Sequence, residues 1–199
     1  MTISSPLSGA ILAGGQGRRM DGADKGLQIF HGKPLVLRVY ERLRPQVDEI
    51  LISANRNATD YAALVPDANI VADRISGFAG PLAGLHATLA AARHPLLLTA
   101  ACDTPFLPRD LAERLHGALV HHNADLAFAC VHGRRYPTFS LCRRELLPAL
   151  EAFLSGGGRK ASDWLDSLNA VPVAFDDQAD AFLNINTREE LLCCESGEK

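Results

Sequence analysis

Short apolar runs alternate along the chain with stretches in which leucine and valine recur every three or four residues. The first run, Leu7-Ser8-Gly9-Ala10-Ile11-Leu12-Ala13, stops at Gly14-Gly15, the pattern of a buried strand emptying into a tight loop. After Gly32-Lys33-Pro34, Leu35, Val39 and Leu43 share one helical face, and Ile50-Leu51-Ile52 supplies a second strand, so a βαβ unit is expected. Ile70-Val71-Ala72 predicts a brief third strand. Pro81 then suits the first turn of a helix carrying Leu82, Leu85 and Leu89, which His94-Pro95 stops. Residues 96–101 are apolar without alternation, as in a strand covered on both faces of a parallel sheet.

Leu111, Leu115 and Leu119 mark a further helix from Pro108, and a strand over 125–130 turns at His132-Gly133 into a return strand over 136–141. Helices over 145–154 and 162–168, a strand over 171–175 and a terminal helix after Asn186-Thr187 complete the succession. It predicts an α/β fold: one domain over 1–199 built on a doubly wound, mostly parallel sheet of Rossmann-like type, with helices on both faces and one antiparallel excursion. The length, 199 residues, suits a single core.

Composition narrows the classes of partner. No apolar run reaches the roughly 18–20 residues of a spanning helix, and the first six residues lack a basic secretory leader, so a soluble cytoplasmic protein without membrane contact is expected. The five cysteines form no CxxC pair, which points to reduced thiols rather than a zinc or redox motif. A net charge of −3 offers no general attraction for nucleic acid, so a polyanionic ligand needs a local basic cluster. Arg18, Arg19, Lys25, Lys33, Arg38, Arg42 and Arg44 form one, against Asp21, Asp24 and Glu41; for the last three cations a solvated helix face is the competing reading.

Ligands of such sheets gather at the carboxyl ends of the strands, where three loops qualify. In the stretch from Leu12, Ala13, Gly14 and Gly15 to Lys25, glycines let backbone N–H groups approach a phosphate while arginine and lysine neutralise it. Met20 stands where a dinucleotide fingerprint needs its third glycine, and no Gly-Lys-[Ser/Thr] follows, so neither that motif nor a P-loop is present. Asp103, in Cys102-Asp103-Thr104-Pro105, is a carboxylate fixed by a buried strand, suited to Mg²⁺. Asp73 and Gly80-Pro81-Leu82-Ala83-Gly84 frame a third loop that can accept hydrogen bonds from a ribose or base and admit a flat ligand beside a helix start.

Leu12-Ala13-Gly14-Gly15, Arg18-Arg19-Met20 and Asp24-Lys25 together resemble the signature of sugar-phosphate and cofactor nucleotidyltransferases. With Gly80-Pro81-Leu82-Ala83-Gly84, Cys102-Asp103-Thr104-Pro105 and Asn184-Ile185-Asn186-Thr187 in order, the chain is similar to the molybdenum cofactor guanylyltransferases from Leu7 to about Leu192. The resemblance implies a nucleotide-binding part over about 7–110 and an acceptor part over about 111–192. It implies GTP contacts at Leu12, Ala13, Gly14, Lys25, Asp73 and Asp103, with Mg²⁺ on Asp103; Gly15 continues the same loop. Where family members often carry asparagine for a base contact this chain has Ser53, and neighbouring Asn55 can share the role. Arg159, Lys160, Asn184 and Asn186 match the part of the pattern associated with the pterin.

The expected chemistry is guanylyl transfer from GTP to the phosphate of molybdopterin with release of pyrophosphate, Lys25 and Arg19 stabilising charge on the triphosphate. Cytidylyl transfer to the same pterin, nucleotidyl transfer to a sugar phosphate, and a non-catalytic nucleotide-binding regulator working with molybdoenzyme chaperones are the competing readings.

Overall fold

The computed structural model describes residues 5–14, 24–75, 80–185 and 190. Its centre is a seven-stranded sheet formed by β1 (Leu7–Leu12), β4 (Glu49–Ser53), β5 (Asn69–Val71), β6 (Leu96–Ala101), β7 (Leu126–Val131), β8 (Arg134–Arg143) and β9 (Ala170–Ala174), in the order β5-β4-β1-β6-β8-β7-β9. β1 pairs in parallel with both β4 and β6, and β4 with β5; β8 runs antiparallel between β6 and β7, and β9 lies parallel to β7. The doubly wound, mostly parallel sheet is therefore as expected, and the return strand β8 is its antiparallel member, paired with β7 in the expected hairpin and with β6 along its other edge.

Helices α1 (Leu35–Leu43) and α4 (Leu111–His121) cover one face, where Val36, Val39, Leu43, Leu111 and Leu115 pack on Ile11, Leu98 and Phe139. On the other face α3 (Pro81–Ala91), α5 (Leu147–Ser155) and α6 (Ala161–Asp166) set Leu82, Leu89, Leu150, Leu154 and Trp164 against Ala10, Leu51, Leu97 and Phe128. β1, β4 and β6 are thus sandwiched between two apolar layers, which explains why their central residues are apolar on both faces instead of alternating.

Gly80 begins α3 at φ +63, a left-handed conformation that glycine adopts without a Cβ clash, and Pro81 follows at the first helical position. In β8 the pairing jumps from Ser140 opposite Phe128 to Tyr136 opposite Ala129, which leaves Pro137, Thr138 and Phe139 in a bulge. A proline, lacking the ladder N–H, is tolerated at such an interruption. Two elements go beyond the sequence expectation: a small hairpin of β2 (Ile29–Phe30) and β3 (Lys33–Pro34), and α2 (Ala58–Leu64). The terminal helix expected after Asn186 falls outside the described residues except for helical Glu190.

Opposite the ligand end, Glu49 is buried yet ionised. It accepts from Ser8 Oγ (2.6 Å), the Arg93 N–H (2.9 Å) and Arg93 Nε (2.7 Å), so one carboxylate ties β1, β4 and the segment leaving α3. Burial alone works to raise its pKa, but these hydrogen bonds and the guanidinium charge overcome it and hold the group below the ordinary glutamate range. A depressed carboxylate contributes stability that is complete above its unfolded pKa and lost as pH falls through its folded pKa. Replacing Glu49 by Gln is therefore expected to cost about 1–3 kcal/mol at neutral pH and to flatten the stability loss below about pH 4, as read by urea unfolding across the acid range. An unchanged acid slope refutes the assignment.

Candidate functional site

The connections on either side of β1 depart to opposite faces: β1 leads through α1 to β4 on one side, while β6 on its other side is reached through α3. The crevice opened at such a switch point lies at the carboxyl ends of β1 and β6. Those ends are Leu12-Ala13-Gly14 and Cys102-Asp103. They are locked in register beyond the strands, since Cys102 N–H donates to Leu12 O (3.2 Å) and Ala13 N–H donates to Ser53 O (2.8 Å).

Asp103, only 7% exposed, is the centre of the site. Lys25 Nζ lies 3.1 Å from its Oδ2, and Asn184 Nδ2 donates to its Oδ1 at 3.1 Å. The main chain joins the same point: Ile185 N–H donates to Asp103 O at 2.9 Å. Three segments that are remote in sequence thus converge on one carboxylate. The pterin expectation for Asn184 acquires a different neighbour, because the structure brings its amide to the Asp103 carboxylate.

Lys25 opens a single 3-10 turn, Lys25–Leu27, whose entry is built by Asp24. Asp24 Oδ1 accepts from Gly26 N–H (3.2 Å) and Tyr61 Oη (2.5 Å), and its Oδ2 accepts from Asn57 Nδ2 (3.0 Å). Tyr61 is fully buried on α2, and burial, then the neighbouring Cys102 and Asp24, pushes its phenol far above the usual range, so it stays a donor. Asn57 caps α2 at φ +53, a left-handed conformation that asparagine tolerates better than most residues. Sequence reasoning missed Tyr61 and Asn57: their signal, a tyrosine and an asparagine in a polar segment, has meaning only once α2 is seen against the Lys25 turn.

A second cluster surrounds Asp73. Its Oδ2 accepts from Asn55 Nδ2 (2.7 Å), its N–H donates to Asn55 Oδ1 (2.8 Å), and its Oδ1 accepts from Ser53 Oγ (3.3 Å). Ser53 is fully buried while Asn55 is exposed, so Ser53 braces Asp73 from beneath and Asn55 faces outward. Gly84 lets α3 close on this support: a Cβ there would lie 2.7 Å from Ser53 Oγ and 3.3 Å from Leu12 Cδ2. Gly14 sits under the same cluster, with Asn55 Nδ2 3.2 Å from where a Cβ would stand.

On the α3 face a small cleft is lined by Leu12, Pro81, Pro137, Thr138, Ala161 and Trp164. Arg159 and Lys160 immediately precede Ala161 in the chain. The Arg159 guanidinium is occupied locally, donating to Leu154 O (2.8 Å) and Gly158 O (2.6 Å) at the end of α5, while Lys160 is exposed. Gly15, Arg19 and Asn186 lie outside the described residues. Of the other cations, Arg38 and Arg42 donate to the backbone oxygens of Phe30 and Leu107, and Arg44 pairs with Asp67, so these three serve the fold.

A glycine-ended strand beside a strand ending in a single carboxylate, with a lysine facing it, marks this crevice as the candidate site of a doubly wound α/β protein. The chain belongs to the MobA-like NTP transferase domain family, which it matches over residues 9–171. It is 52% identical over 195 residues to the molybdenum cofactor guanylyltransferase of Burkholderia ambifaria, covering 94% of this chain and 95% of that one. Identity to the protein of the same name from Cupriavidus necator is 46% over 197 residues, 96% of this chain and 97% of the relative. Among solved structures, the molybdopterin-guanine dinucleotide biosynthesis protein A of Archaeoglobus fulgidus superposes with a TM-score of 0.79 at 26% identity, covering 95% of this chain and 97% of that chain.

Gly84→Ala is the direct test of the Asp73 support. The added methyl must displace Ser53, an over-packing that costs about 1–3 kcal/mol, and Asp73 moves with it. Thermal unfolding should fall by a few degrees and nucleotide affinity should drop several-fold; native nucleotide affinity with an unchanged melting temperature refutes the packing argument.

Proposed function

We propose that this protein transfers the GMP moiety of GTP to the terminal phosphate of molybdopterin, forming the guanine dinucleotide and releasing pyrophosphate. The observation that carries the reading is the convergence of Lys25, Asp103 and Asn184 at the switch point, in a chain about half identical to relatives named for this activity. The acceptor phosphate oxygen attacks the α-phosphorus, the bond from that phosphorus to the β-phosphate bridging oxygen breaks, and pyrophosphate leaves. The attacking phosphate is already ionised near neutral pH, so no general base is needed; the protein must position two anions and offset their repulsion.

Lys25 supplies that charge from a turn fixed by Asp24, and Arg19 adds to it. Gly14, continued by Gly15, brings backbone N–H groups to the triphosphate, Leu12 and Ala13 border it at the end of β1, and Asp73, braced by Ser53 and Asn55, accepts donors of the guanosine. Asp103 suits Mg²⁺: it is an oxygen donor held nearly out of solvent at a strand end, and the described residues contain no group of three or more His, Cys, Asp or Glu that forms a closed metal cage. Asp103 would hold a magnesium ion there, which would supply Lewis-acid stabilisation and a template for the triphosphate.

The acceptor is assigned to the cleft lined by Trp164, with Lys160, Arg159, Asn184 and Asn186 contributing polar contacts. No helix among the described residues is long and apolar enough to cross a membrane. The reading includes a cytoplasmic location and delivery of the product to molybdoenzyme chaperones.

Purified protein incubated with Mg²⁺, molybdopterin and each of the four nucleoside triphosphates should yield the guanine dinucleotide by mass. A cytidine product, or pyrophosphate release only with a sugar phosphate, overturns the reading. Asp103→Asn should stay folded and lose roughly a hundredfold in rate; near-wild-type turnover at limiting Mg²⁺ refutes the role of Asp103. The double change Arg159→Ala and Lys160→Ala should raise the apparent dissociation constant for molybdopterin roughly tenfold or more while sparing Mg-GTP. Equal losses for both ligands contradict the division of the site.

A further inference from the structure

Asp103 has both carboxylate oxygens engaged by protein donors, Oδ2 by the Lys25 ammonium and Oδ1 by the Asn184 amide, each at 3.1 Å. A lone carboxylate buried this deeply needs a counter-charge, and Lys25 provides it. We infer that Lys25 is a built-in stand-in for the divalent ion: metal and nucleotide together displace its ammonium from Asp103, and the released charge passes to the phosphates. The inference rests on the metal-binding role of Asp103 proposed above.

Lys25 is built for exchange. Its backbone is pinned, because Asp24 is held by Tyr61, Asn57 and the Gly26 N–H, and Gln28 N–H donates to Lys25 O at 3.1 Å. Its side chain is a flexible four-carbon stem carrying a compact charge, 24% exposed and so able to swing toward a ligand in the crevice. A metal ion arriving alone must compete with this ammonium for Oδ2 and then endure its repulsion, with one carboxylate in return. A metal ion arriving with a triphosphate brings the anions that take Lys25 over. Metal and nucleotide therefore bind with positive coupling, each weakly without the other.

Mn²⁺ serves as the probe, its free concentration followed by electron paramagnetic resonance in titrations of wild-type protein, Lys25→Met, Lys25→Arg and Asp103→Asn, with folding checked by circular dichroism. Lys25→Met should bind bare Mn²⁺ about tenfold more tightly than wild type, and Lys25→Arg, which keeps the charge, should stay weak. With a GTP analogue bearing a methylene bridge between the α- and β-phosphorus the order should invert, Lys25→Met binding Mn²⁺ and analogue more weakly than wild type. If Lys25→Met binds bare Mn²⁺ no better than wild type while Asp103→Asn abolishes binding, the exchange is wrong and the metal role of Asp103 stands. If Asp103→Asn leaves Mn²⁺ binding by wild type and Lys25→Met unaltered, both are wrong. A Lys25→Met protein that fails to fold is replaced by Lys25→Gln under the same criteria.

Discussion

β1 is hydrogen-bonded along both edges to parallel strands, and every feature of the crevice depends on that placement. Its two neighbours receive the chain from opposite faces, so the loops beyond the strand ends diverge and leave a gap that the sheet itself cannot fill. The gap lies above a region whose two faces are sealed by apolar helices, so charge placed at its floor is removed from water. Asp103 occupies that floor, and the electrostatics of the site follow from the need to balance it.

Rigidity is distributed unevenly around this carboxylate. The Asp73 cluster is braced from below by Ser53 and kept close by the absence of a side chain at Gly84, and Asp24 is held by three donors from two segments. Arg159 and Lys160 stand instead on the short connection between α5 and α6, where the Arg159 guanidinium donates to Leu154 O and Gly158 O nearby. On the proposed function, the braced side would take the nucleotide and the less supported connection the acceptor.

The parts of this arrangement that were legible in the sequence are those encoded locally. The apolar runs of β1, β4 and β6, the Pro81 helix start and the carboxylate after β6 all announce themselves within a few residues. Contacts spanning large separations do not: Lys25 meets Asp103 across 78 positions and Asn184 meets it across 81. α2 escaped because it buries Tyr61 and little else, so it lacks the repeating apolar face that betrays α1 and α4. Ser53, a base contact only by the family resemblance, shows the same limit at a smaller scale, since nothing local in the sequence tells that it is buried beneath Asp73 and donates to it.

The hydrogen bond from Ile185 N–H to the Asp103 carbonyl has a consequence for how the molecule comes into being. A polypeptide leaves the ribosome from its amino terminus, so the glycine loop, the Lys25 turn and Asp103 all emerge well before the segment that closes over them. Until residue 185 is out, Asp103 lacks both the main-chain tie and the amide of Asn184. The site is thus completed by a segment synthesised 81 positions after the carboxylate it closes over, and a chain that has not reached it holds the earlier loops without the finished centre.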